Sequence, residues 1–352
     1  MSMKIAVVLF NLGGPDTPEA IRPFLQNLFS DKRIITAPAP IRWFLARLIS
    51  TTRAPKVKPL YAEMGGASPI LPNTLAQAEA LEALLNRESG IENREYKAFL
   101  AMRYWHPFAS ETIEAVKAYG ADQLVLLPLY PQFSTTTTES SVVEWNALAQ
   151  KQGLTVPTST IGCYFTAPEW IEAEAALLKP LIEQSLHEHP NTPPRIFFSA
   201  HGLPQKIIDQ KGDPYVWQIQ QTAKAIVKKL DMTNLDWLVT YQSRVGPVEW
   251  VKPYTDVEIR KAGAEGKPII LAPIAFVSEH IETLVELDVE NKHLAMESGC
   301  IGYYRAPTVS THPLFISALA HLVRDAAAHP PKTRSHEGKR LCPPEYTACI
   351  CR

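Results

Sequence analysis

Neither sign of charge prevails in this chain. Lys and Arg number 35 against 36 Asp and Glu, a formal net charge of −1. No overall field therefore draws it to nucleic acid or to an anionic membrane, and any such binding has to come from a local patch. Long apolar runs are also missing, since no stretch reaches the ~18 apolar residues of a membrane span. The first apolar run, Ile5 to Phe10, is too short for the core of a signal peptide, and no small-residue cleavage site follows it. The expectation is a cytoplasmic protein. Cysteine is scarce, with five in 352 residues. In a reducing compartment these read as free thiols or metal ligands rather than disulfides. The chain does have 46% hydrophobic and 20% charged residues, a balance that supports a packed core and excludes wholesale disorder. Its 30 prolines often follow apolar runs, as in loops that end strands at a functional rim.

Short β-branched runs alternate with longer helical patterns. Strands are expected over 4–10, 96–102, 123–129 and 156–163, then over 195–199, 235–241, 268–276 and 300–305. Helices are expected over 18–29, 73–85, 110–119, 138–151, 168–187, 214–230 and 314–327. Strands that are apolar throughout, separated by amphipathic helices, predict parallel sheets covered on both faces. Four strands lie on each side of the polar, proline-rich stretch 187–194, which is expected to join two similar α/β halves. The domains then run 1–187 and 188–312, with 313–352 a terminal helix and cysteine-rich tail.

Ligands of open α/β sheets bind beyond the carboxyl ends of the strands. The residues that follow these strands are aromatic, basic and metal-capable: Leu12-Gly13-Gly14, Arg103-Tyr104-Trp105-His106, Tyr130, His201-Gly202, Gln242-Ser243-Arg244 and Ser278-Glu279-His280. They suggest a cleft for a large flat or aromatic ligand. A lone His201 would read as a capping or satisfied core histidine. The run after strand 268–276 changes that, because Glu282, Glu286 and Glu290 recur every four residues and would form one acidic stripe on a helix. Like charges at that spacing cost about 0.2–0.5 kcal/mol per pair, and the bland alternative is a solvated face. The stripe, however, opens directly after a buried strand and begins with His280 and Glu282, a donor set that suits ferrous iron.

These segments resemble the ferrochelatase family. Ser199-Ala200-His201-Gly202-Leu203-Pro204 and Ser278-Glu279-His280-Ile281-Glu282-Thr283-Leu284 resemble its two signatures. The likeness extends through Asn11–Pro15, Tyr61–Ile70, Arg103–Pro107, Tyr130–Thr138, Gly212–Tyr215 and Gln242–Trp250. It implies a chelatase-type fold of two Rossmann-like domains, each a four-stranded parallel sheet flanked by helices, with a porphyrin cleft between them. It implies insertion of Fe2+ into protoporphyrin IX, with release of two protons, in haem biosynthesis. His201 and Glu282 would be the catalytic, metal-facing pair, and Glu286 and Glu290 an acidic path on a helix with a π-type turn. Arg53, Tyr61 and Ser68 would lie near the propionates. Leu12, Trp250 and Phe276 would pack on the ring, Arg103 and Tyr130 would line the pocket, and His280 would be a further substrate contact. Rival readings are a chelatase for coproporphyrin or another metal, a non-catalytic tetrapyrrole or metal carrier, and a periplasmic-type binding protein. The acidic stripe argues against the carrier, and the lack of a signal segment against the last. The family includes monomers and homodimers.

Three cysteines, Cys342, Cys349 and Cys351, lie within ten residues near the end of the chain. Four thiolates suit zinc or iron–sulfur equally. The resemblance implies a [2Fe–2S] cluster on these three and one internal cysteine. Cys163 is the better fourth ligand, because Cys300 opens an apolar strand and reads as a buried small residue. Finally, residues 41–49 are densely apolar, with Arg42 and Arg47 as their only charges. A core helix is the plain reading. Trp43, Phe44 and the arginines also suit a membrane interface, and the resemblance implies a porphyrin lip over about 40–70, with peripheral contact at the inner membrane.

Overall fold

The computed structural model describes residues 2–88 and 93–351. In chain order the first elements are β1 (Met3–Asn11), α1 (Ile21–Ser30), α2 (Ala39–Glu63), α3 (Ile70–Glu88), β2 (Arg94–Met102), α4 (Ala109–Tyr119), β3 (Gln123–Pro128), α5 (Thr138–Lys151), β4 (Thr158–Cys163) and α6 (Pro168–Glu188). There follow β5 (Arg195–His201), α7 (Gln205–Lys211), α8 (Tyr215–Leu230), β6 (Asp236–Gln242), α9 (Thr255–Ala264), β7 (Pro268–Pro273) and α10 (Ile281–Leu284). A π-helix (Glu286–Asn291), α11 (Lys292–Glu297), β8 (Gly302–Arg305), α12 (Pro313–Ala328) and β9 (Thr333–Ser335) complete the series.

Two parallel sheets result, in the orders β2-β1-β3-β4-β9 and β6-β5-β7-β8. Their central strands are apolar because helices cover both faces. In β1 every residue from Ile5 to Asn11 is buried, as is all of β3 and all of β7. The first sheet has five strands rather than the expected four. The extra strand, β9, pairs with β4 and is too short to leave a periodicity in the sequence.

The chain forms two compact units. One is Met1–Cys163 with Leu319–Leu341 and Ile350–Arg352, and the other is Tyr164–Ala318 with Cys342–Cys349. The stretch 187–194, read as an interdomain connection, instead lies inside the second unit. The reason is packing: α6 lies against α8, β7 and β8, so it belongs with the second sheet. In both sheets the first strand of the unit, β1 or β5, is flanked by its two successors. The order therefore reverses there, and the crevice beyond β1/β3 and that beyond β5/β7 are the positions where α/β sheets bind ligands.

Candidate active site

His201 is the last residue of β5, and Glu282 stands in the first turn of α10, which follows β7. The sheet order makes β5 and β7 neighbours, so two residues 81 positions apart meet. His201 Nδ1 lies 2.9 Å from Glu282 Oε2. The His201 side chain keeps 36% of its exposure and Glu282 keeps 22%, so the pair is sheltered yet open to a ligand. His280 Nδ1–H donates to the Ser278 carbonyl at 3.0 Å, and its Nε2 lies 3.6 Å from the same Glu282 oxygen. His280 also starts α10, as its N–H donates to Thr283 Oγ1. The Tyr215 hydroxyl donates to the His201 carbonyl at 3.0 Å. The Trp250 ring stands edge-on to His201, and the Phe276 ring lies 4.7 Å from that of His280.

Glu286 is held from a third strand. Gln242, the last residue of β6, donates from Nε2 to the Glu282 carbonyl at 2.9 Å and to Glu286 Oε2 at 3.1 Å. The Ser243 N–H donates to Glu286 Oε1 at 2.7 Å, and its hydroxyl donates to the other oxygen. Ser243 sits at φ +65°, in the left-handed region unfavourable to non-glycine residues; that conformation aims its N–H at the carboxylate. Gln242 and Ser243 carry no chemical signature of their own, and their position at a strand end was the only sign of them in the sequence. The expected single stripe is interrupted. The i→i+5 pattern over Glu286–Asn291 breaks the four-residue spacing, so Glu282 and Glu286 are half-buried while Glu290 is exposed.

These groups titrate in opposed directions. Burial alone would raise the Glu282 carboxyl, but His201 and His280 outweigh it and hold Glu282 far below the usual carboxylate range. Burial disfavours the His201 imidazolium, yet Glu282 beside it and Glu286 beyond raise it above its ordinary 6.5. Glu286 is raised by burial and by the Glu282 charge, against the Ser243 and Gln242 donors. Neighbouring acids with pKa values pushed apart are the pattern of acid–base assignment.

In the first unit, Leu12 follows β1 and Tyr130 follows β3, both half-buried. Ser68 is buried against the loop after β1: its N–H donates to the Pro15 carbonyl, and a Cβ on Gly14 would lie 2.6 Å from it. Tyr61 is buried, and Arg53 lies over the Phe29 ring. Arg103 is committed elsewhere. It donates to Asp31 and Glu144 at 2.8 Å each and to Ser140. Over residues 41–49 a core helix is not found: Ile41, Trp43, Phe44 and Leu48 are 48–60% exposed. Among the described residues no helix is long and apolar enough to cross a membrane.

The model of the family described as Ferrochelatase matches residues 4–327. The chain belongs to the ferrochelatase family. A relative called Ferrochelatase from Caulobacter vibrioides is 51% identical over 352 residues, covering 100% of this chain and 99% of its own length. One from a Wolbachia of Drosophila simulans is 50% identical over 321 residues, 91% of this chain and 98% of its own. Among solved structures, SirB from Bacillus subtilis with Fe3+ superposes with a TM-score of 0.53 at 14% identity over 93% of this chain and 96% of its own. At that identity it shows a shared chelatase-type fold. The ferrochelatase activity is insertion of Fe2+ into a porphyrin in haem biosynthesis, a lyase-class reaction.

The tail cysteines divide between the two units, with Cys342 and Cys349 in the second and Cys351 in the first. In the first unit, Cys163 and Cys351 are buried with their sulfurs 3.8 Å apart, and Cys351 packs so close to Gly162 that a Cβ there would lie 2.6 Å from its sulfur. In the second unit, Cys342 and Cys349 are buried, and Gln218 Nε2 donates to Cys342 Sγ at 3.1 Å. Cys300 is core, packed with Phe197, Ile259 and Leu271. The described residues hold no group of three or more His, Cys, Asp or Glu able to share a metal ion.

Proposed function

We propose that the porphyrin is protoporphyrin IX and that His201 and Glu282 are the pair that metallates it. The observation that carries this is their 2.9 Å contact at the reversal point of the second sheet. Metallation must remove two pyrrole protons and accept a desolvated cation. A neutral imidazole can accept a proton or bind iron, but once protonated it can do neither. Glu282 stays ionised beside it and offsets cationic charge. Glu286 is the better proton carrier, because its carboxyl is raised while that of Glu282 is depressed. Protons then leave by Glu286 and, nearer solvent, Glu290. Leu12, Trp250 and Phe276 supply apolar contact to the ring, Tyr130 and His280 polar contact, and Arg53, Tyr61 and Ser68 receive propionates. Since Arg103 is spent on Asp31 and Glu144, it holds that wall together rather than gripping a propionate.

The same proposal includes a [2Fe–2S] cluster on Cys163, Cys342, Cys349 and Cys351. Two thiolates on one tetrahedral ion with bonds of ~2.3 Å lie about 3.8 Å apart, which fits the Cys163–Cys351 pair. A bound cluster supplies one-electron chemistry, whereas iron insertion involves no net redox change. Peripheral contact with a membrane runs through the exposed apolar residues of 41–49. The test is an anaerobic assay with Fe2+ and either porphyrin. The expected result is a higher kcat/KM for protoporphyrin; preference for coproporphyrin would overturn the substrate assignment.

A further inference from the structure

A π-helix is an unfavourable carrier for catalytic carboxylates. Its i→i+5 pattern is rare and occurs mostly as single turns, so contacts from outside must hold it. Two residues of β8 supply them. The Tyr303 hydroxyl donates to the Leu287 carbonyl, within the π-helix. The Arg305 side chain, only 11% exposed, spreads its fork over two carboxylates. Nε and Nη2 donate to the two oxygens of Asp288, the first at 2.7 Å, and Nη1 donates to Glu279 Oε1 at 2.7 Å. Glu279 is fixed in turn by the Thr308 N–H at 2.9 Å. One guanidinium thus ties the residues just before α10 to the π-helix just after it, across the turn that bears Glu282. Arg305 is itself anchored through the β7–β8 pairing.

The charge pattern supports the same role. Residues 279–290 carry five carboxylates: Glu279, Glu282, Glu286, Asp288 and Glu290. Arg305 takes up Glu279 and Asp288. Glu282 and Glu286 are then left to His201, Gln242 and Ser243. Without Arg305, two partly buried carboxylates would lose their cation beside the pair that does the work.

We propose that Arg305 is a positioning residue for iron insertion: it holds the α10–π-helix turn so that Glu282 and Glu286 stay within reach of His201, with Tyr303 as a second tether. This rests on the assignment of His201 and Glu282 as the metallating pair. Arg305 touches neither iron nor porphyrin and acts through the carboxylates.

The test compares Arg305→Met, which keeps the stem, with Arg305→Lys, Asp288→Asn and Tyr303→Phe. All are assayed anaerobically with Fe2+ and protoporphyrin, well below the measured Tm of each variant. A misplacement of about 1 Å at a reacting group costs about a hundredfold, so Arg305→Met should lower kcat by about 10- to 100-fold. The KM for iron should rise, while the KM for porphyrin stays within about twofold. Arg305→Lys should recover part of the loss, since it restores charge without the fork. Asp288→Asn and Tyr303→Phe should show weaker forms of the same pattern. A merely structural role would reduce the active fraction and leave the KM for iron unchanged; that result, or normal kcat and iron KM in folded Arg305→Met, would overturn the proposal. If Arg305→Met does not fold, Arg305→Lys and Tyr303→Phe decide by the same split. Normal turnover in Glu282→Gln would instead overturn the underlying pair.

Discussion

At the residue scale, the proposed role of His201 predicts that activity follows pH through its two carboxylate neighbours. Burial works to lower its pKa, but Glu282 and, more weakly, Glu286 raise it above 6.5, and its imidazolium can neither bind iron nor accept a pyrrole proton. The rate should therefore climb with pH through a midpoint above 6.5. Removing the Glu286 charge by Glu286→Gln should move that limb to lower pH. A pH profile of kcat checks this, and a limb that does not move would detach Glu286 from the pair. A second residue prediction concerns Gly162. A Cβ there would lie 2.6 Å from Cys351 Sγ, so Gly162→Ala should displace the tail and lose the visible absorbance and about two cluster irons per chain expected of anaerobically purified protein. Full colour in Gly162→Ala would count against the proposed cluster at Cys351. His201 and Glu282 stood out in the sequence, the first as a metal-capable residue directly after an apolar strand and the second as the start of an acidic stripe. Gln242 and Ser243 were not, because amides and hydroxyls occur at many loops and only their hydrogen bonds mark these two.

At the scale of elements, legibility followed periodicity. Helix α5 was expected over 138–151 and is found over Thr138–Lys151, and α4, α6 and α8 differ from expectation by a residue at one end. Helix α2 was harder: it runs 25 residues with Pro55 and Pro59 inside, and interior prolines ordinarily argue against a helix. Its exposed residues yield a prediction. Arg42 and Arg47 are each worth about 1 kcal/mol at an anionic surface, and Trp43 and Phe44 supply the apolar contact. Trp43→Ser with Phe44→Ser should weaken sedimentation with anionic liposomes and raise the KM for porphyrin, leaving that for iron unchanged. No change in either would leave α2 without a membrane role. Helix α6 holds Glu174 fully within the core, with Oε1 lacking a hydrogen-bond partner. Burial raises this carboxyl well above 4.5. The folded state then keeps a proton that the unfolded chain releases, so stability should decline as pH rises above 4.5. Denaturant titrations across pH should show Glu174→Gln with a flatter profile; parallel profiles would mean that Glu174 meets a cation.

At the scale of the whole molecule, the two-sheet α/β plan was readable because central strands such as β1, β3 and β7 are dominated by apolar residues and buried along nearly their whole length. The division between units was not. It depends on which sheet α6 packs against and on a tail whose last residues divide between the two units. Neither is written in local sequence, since tertiary packing alone decides it. The β5/β7 reversal point could be located only once strand order was known, and it brings together His201 and Glu282, the pair proposed to metallate the porphyrin. The most direct measurement is anaerobic turnover of Fe2+ and protoporphyrin by His201→Ala and by Glu282→Gln, with circular dichroism and Tm as controls for folding. Both variants should fold and lose about a thousandfold or more in kcat, as expected when a positioned acid–base group is removed. Turnover near that of the parent enzyme in either folded variant would contradict the assignment of the pair.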